Sequence, residues 1–170
     1  MFLHSAILLI VFQSITFTIG LDCIERHLLP RVRECCRIPP PFPDTGLREC
    51  DREARREHSV ASYVMQKCKM ECYYQKIKII EENTLLMDQV KLYLESLEDD
   101  AREFYMTAFQ DCDDRLMHNK EHLPATICNG FSADLDSCVQ KNLLRQCPVQ
   151  YWQESELCNY VKAGYTICRN

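Results

Sequence analysis

Twelve cysteines hold most of the reactive chemistry in this chain, and all of them lie beyond Asp22. They are Cys23, Cys35, Cys36, Cys50, Cys68, Cys72, Cys112, Cys128, Cys138, Cys147, Cys158 and Cys168. Thiols can bind a metal, attack a carbonyl beside a histidine, or pair. Zinc would find candidate ligands in Cys35, Cys36, Cys68 and Cys72, but C-C and C-x3-C are not the usual C-x2-C knuckle spacing. A Cys-His nucleophile needs a spare cysteine beside His27, His58, His118 or His122, and the even count leaves none spare. Pairing is the reading that suits both the number and an oxidising compartment. Cys68 and Cys72 are four residues apart, so they leave one face of a helix and can fasten it to two other elements. Counting alone does not give the connectivity, since twelve cysteines allow on the order of ten thousand pairings.

Other chemistries lack their parts. The Cys35-Cys36 pair is followed by Arg37-Ile38-Pro39, not by the His-Asp dyad of secreted phospholipases, and the chain has only four glycines. Asp111, Asp113 and Asp114 lack the glycine and distant glutamate of an EF-hand loop. There is no G-x-S-x-G and no P-loop. No cofactor, metal or enzymatic activity is expected. A formal charge of −5 gives no basic footprint for nucleic acid or an anionic membrane.

The elements that must position these cysteines read as helices. Ile24, Leu28 and Val32 recur at four-residue steps through 22–34. Four prolines then make 37–45 an extended surface run, with a turn expected at Asp44-Thr45-Gly46. Residues 47–58 are so charged that only Leu47, Cys50 and Ala54 can face inward. The hub helix lies within 60–82, with Ser59 as its candidate cap; Val60, Val64, Cys68, Cys72 and Tyr73 share a face, and Lys67, Lys69 and Lys76 lie elsewhere. Further helices are expected over 88–97, 98–116, from Ser132 or Asp134 to Gln146, and over 154–163. No strand pattern competes. The expected fold is all-α: a compact, disulfide-stapled bundle of six or seven short helices around an apolar cavity, with N- and C-terminal extensions.

Residues 1–20 read as a signal peptide, with an apolar core and small Thr18 and Gly20 before the cut. A membrane anchor fits less well because Gln13, Ser14 and Thr16 interrupt the apolar run. Residues 21–170 form the single expected domain, secreted and extracellular.

The whole of that domain resembles the Plus-C subgroup of insect odorant-binding proteins. Six cysteines anchor the resemblance, with three residues between the second and third (Cys68, Cys72), Cys112 as the fourth, and eight residues between the fifth and sixth (Cys138, Cys147). Cys128, Pro148, Cys158 and Cys168 match the additions of the subgroup. The resemblance implies pairing of first with third, second with fifth and fourth with sixth. Carried over, that gives Cys68–Cys138, Cys112–Cys147, and Cys72 with one of Cys35, Cys36 or Cys50. It further implies a carrier that reversibly binds small hydrophobic molecules, odorants or pheromones, in olfaction. An olfactory receptor, other odorant-binding proteins and a second copy of the chain are the implied partners. Release on a change of pH, often credited to the family, would be tested first at His118 and His122.

Cross-links lower the entropy of the unfolded chain, so the core need not be packed solid and a cavity is tolerable. The residues expected to line it, from the central helices, are Met65, Tyr73, Leu94, Phe104, Phe109, Leu135, Val139 and Leu143. Tyr73 or Tyr105 would supply a hydroxyl. The alternative function is a secreted protein-interaction module whose extensions occlude the pocket.

Overall fold

A computed structural model describes residues 23–58, 63–118, 127–164 and 166–168. It is an all-α bundle. Its helices are α1 (Leu29–Arg33), α2 (Asp44–Glu57), α3 (Tyr63–Lys76), α4 (Met87–Leu94), α5 (Asp99–His118), α6 (Phe131–Arg145) and α7 (Glu156–Lys162). Among the described residues there are also two small two-stranded sheets. Cys23–Ile24 (β1) pairs in parallel with Thr166–Ile167 (β4), and Ile80–Glu81 (β2) pairs antiparallel with Thr84–Leu85 (β3). Among the described residues no helix is long and apolar enough to cross a membrane. The expected leader, the expected cap at Ser59, and His122 lie outside the described residues.

The long apolar faces form where their periodicity placed them. On α5, Ala101, Phe104, Tyr105, Ala108, Phe109 and Cys112 are all buried. On α6, Phe131, Leu135, Val139, Asn142 and Leu143 turn inward. Acidic Asp99 and Asp100 open α5, where the helix dipole favours negative charge. Ser155 caps α7 by accepting the Cys158 amide at 3.1 Å.

Four local expectations need correction. The 22–34 segment is not one helix but a strand, a 3-10 turn and five residues of α1. Asp44, Thr45 and Gly46 form the first turn of α2, because extended Pro43 precedes them and acidic Asp44 suits the helix start. Ile77–Ile80 does not merely extend the hub: Ile79 and Ile80 are buried and lead into the β2–β3 hairpin. Lys67 is 2 % exposed rather than solvated, with its ammonium 4.5 Å from the centre of the Tyr63 ring. A side chain at Gly130 would meet that ammonium at 3.3 Å, so glycine suits the close approach of the turn to α3.

All twelve cysteines are paired. Cys72 meets Cys50, joining α3 to α2. The other two carried-over pairs are not formed. Cys68 bonds Cys128, and Cys112 bonds Cys138. The cause is the way α3 crosses the start of α6. Tyr63 donates to Asp134 at 3.1 Å, and Glu71 accepts the Asn129 amide at 2.9 Å. Cys68 therefore faces the turn that holds Cys128. Cys138 lies about two turns further along α6, on the side packed against α5 and Cys112. The remaining bridges, Cys23–Cys168, Cys35–Cys158 and Cys36–Cys147, run between the N-terminal and C-terminal extensions as a nested ladder. Backbone bonds reinforce it: Arg37 donates to Tyr151 at 2.8 Å, and Gln153 to Cys35 at 2.8 Å.

Candidate ligand-binding site

The proline-rich segment 39–43 carries few backbone donors, so it cannot join a helix or sheet, yet its carbonyls still need partners. The bundle supplies them from tyrosines. Tyr105 on α5 donates to the Pro39 carbonyl at 3.1 Å, and Tyr73 on α3 donates to the Pro43 carbonyl at 3.0 Å. The segment is thus strapped across the open side of α3, α5 and α6. Its one apolar side chain other than proline, Phe42, turns inward among the rings of Tyr74, Tyr93 and Phe109, with centroids at 6.1, 5.4 and 5.4 Å. Those spacings are those of favourable edge and tilted aromatic contacts.

Beneath the strap lies a cavity of about 420 Å³. Its apolar wall is made by Phe42, Met70, Tyr73, Tyr105, Phe109 and Val139. Polar groups stand among them: Gln66 and Lys69 from α3, Asp136 and Gln140 from α6, Asp44 from α2, and Arg33 from α1. This volume and this mixture suit a small molecule with an apolar body and a few polar points. A broader depression of about 640 Å³ adjoins it, sharing Asp44, Leu47 and Lys69. That one is mainly charged side chains of α2, so it reads as a hydrated approach rather than a binding site.

Of the eight side chains expected at the cavity, Tyr73, Phe109 and Val139 line it. The other five do not. Met65 sits in a separate small cluster with Ala54 and Cys68. Leu94 and Leu135 have no accessible surface at all. Leu143 belongs to the same main core, and Phe104 borders a shallow surface groove with Pro148 and Gln150. Both tyrosine hydroxyls expected as ligand handles already donate to the strap, and burial pushes the Tyr73 and Tyr105 hydroxyls well above the usual phenol pKa.

Among the lining residues not anticipated are Phe42, Met70, Tyr74, Gln140 and Asp136. Asp136 stands three residues before Val139, on the same helical face. Its carboxylate accepts a hydrogen bond from Tyr74 at 3.2 Å. Burial raises its pKa above the ordinary aspartate value; the Tyr74 bond and the Lys69 and Arg33 charges act against that rise. His118 stands apart, its ring nitrogen bound at 2.6 Å to the Asp114 carbonyl of its own helix. Among the described residues two clusters have ligand-like geometry, His58 with Cys68 and Cys128 and Glu53 with Cys50 and Cys72, and their cysteines are disulfides rather than thiolates.

The strap gives a first expected result. Tyr105→Phe should lower stability by about 1 kcal/mol, since the Pro39 carbonyl loses its donor. Urea unfolding of the two proteins checks it, and a difference within error would show that the bond contributes nothing.

No protein-family model matches the sequence, and no curated protein matches it.

Proposed function

We propose that the chain is a secreted carrier that reversibly binds small hydrophobic molecules, of the kind represented by the Plus-C odorant-binding proteins. The cavity under the proline-rich strap carries this reading. Six disulfides fit an extracellular protein, which agrees with a leader over residues 1–20. The disulfide order supports it as well. The six consecutive cysteines Cys50, Cys68, Cys72, Cys112, Cys128 and Cys138 pair first to third, second to fifth and fourth to sixth. That is the order the resemblance implies, one cysteine earlier in the chain than the spacing of Cys138 and Cys147 suggested. In this reading the ligand enters under the strap and is held by removal of apolar surface from water. Olfaction, with odorants or pheromones as cargo and a receptor as the recipient, is the setting the resemblance implies.

Diphenylhexatriene, a neutral fluorescent probe, tests the carrier directly. Saturable uptake at one site per chain, reversed by an excess of a competing apolar molecule, is the expected result. Absence of uptake by folded, oxidised protein would reject it and favour a secreted interaction module. Phe42 gives that second reading its own support, because its ring already fills part of the space between α3 and α5.

A further inference from the structure

Two acids line the cavity; Asp44 pairs with Arg48, and Asp136 is the one set among aromatic side chains. Asp136 lines it, flanked by the rings of Tyr73, Tyr74, Tyr105, Phe42 and Phe109. The carboxylate is enclosed by protein yet keeps accessible surface, as a group facing a cavity should. A carboxylate offers about four acceptor positions. Among the described residues the Tyr74 hydroxyl is its hydrogen-bond donor. Further acceptor capacity therefore remains for a guest, and a buried carboxylate gains most from a donor that is itself charged.

Lys69 and Arg33 line the same cavity and their charges act on Asp136, though among the described residues no ion pair joins either of them to it. The Lys69 ammonium is 3.9 Å from the Asp51 carboxylate. Arg33 is exposed on α1, and Asp44 pairs with Arg48 at 3.0 Å. Aromatic faces add to the preference, since a cation is attracted to the negative face of a ring and an anion is not.

We propose that the cavity takes a small primary amine with an aryl or alkyl body, its ammonium on Asp136 and its apolar body against Phe42, Tyr105 and Phe109. The proposal rests on the carrier reading, of which it names the ligand class. The ammonium completes the hydrogen bonding of Asp136 while Tyr74 holds the carboxylate in place. Gln140, one turn along α6 from Asp136, offers a further polar contact.

Isothermal titration with three molecules of one shape tests it: phenethylamine, 2-phenylethanol and phenylacetate. The amine should bind at least about ten-fold more tightly than the alcohol, the gain expected of a charge-assisted bond over a neutral one. Phenylacetate should bind more weakly than either. Asp136→Asn, which keeps shape and an acceptor for Tyr74, should abolish the preference for the amine over the alcohol. Equal affinity for amine and alcohol, a preference for phenylacetate, or an amine preference that survives in Asp136→Asn would each overturn the proposal. If the variant does not fold, the selectivity of the native chain decides alone. Probe uptake without amine selectivity sinks this inference and spares the carrier. Amine selectivity without probe uptake does the reverse.

Discussion

Phe42→Ala should destabilise the oxidised protein by about 3–4 kcal/mol and shift its binding preference toward larger apolar guests. The ring is 9 % exposed and makes aromatic contacts with Tyr74, Tyr93 and Phe109. Removing such a ring costs its transfer free energy plus that of the space left behind, typically about 3–5 kcal/mol. The second part depends on whether the surroundings can collapse. Here they are held from both sides. Cys36–Cys147 fixes the chain just before the strap, and Cys50–Cys72 fixes α2 just after it. Tyr105 and Tyr73 hold the carbonyls between. The void therefore stays open and joins the cavity of about 420 Å³. The added space lies beside Tyr74 and Phe109, so a longer apolar guest gains buried area there. Denaturant unfolding gives the first number, and dissociation constants for a probe series of increasing length give the second. A loss below about 1 kcal/mol with an unchanged length preference would mean that Phe42 lies against the core without filling it.

Phe42 also shows where sequence reasoning stops. Tyr73, Phe109 and Val139 were legible as cavity residues because they sit on the inward faces of long helices, whose 3.6-residue period is visible. The five that failed also sit on inward faces of helices, and periodicity separates inside from outside but not a packed position from one that borders a void. Phe42 lies in a run of prolines with no period. Only the need of that run for hydrogen-bond donors, met by two tyrosines far along the chain, turns it inward. Asp136 was hidden for another reason. An acid on a helix reads as solvated, and only Tyr74, 62 residues away in sequence, makes a half-enclosed place for it. The hairpin at Ile80–Leu85 gave no warning either, since its turn uses Glu82 at φ 52°, with no glycine to announce it. Two of the three cysteine pairings implied by the resemblance failed at the level of register. The helix bearing Cys138 was placed correctly, but which of its neighbours Cys138 faces depends on how α3 crosses α6, and spacing along the chain does not contain a crossing.

The Cys112–Cys138 bridge is where that register can be measured. Cys112→Ala with Cys138→Ala should lower stability by about 3 kcal/mol, the chain-entropy value for a loop of this size, here a separation of 26 residues. The bridge joins α5 to α6, and those helices carry Phe109 and Val139 on the cavity wall. Its loss lets the wall relax, so probe affinity should fall about ten-fold even at temperatures where the protein stays folded. The contrasting pair separates the two connectivities. If Cys112 bonded Cys147, replacing those two by alanine would remove one bridge and leave no free thiol. With the observed pairs, the same double variant breaks Cys112–Cys138 and Cys36–Cys147 together and strands Cys138 and Cys36. A thiol reagent applied to denatured, unreduced protein should then count two thiols in Cys112→Ala/Cys147→Ala and none in Cys112→Ala/Cys138→Ala. The reverse counts would return the bundle to the pairing that the resemblance implies.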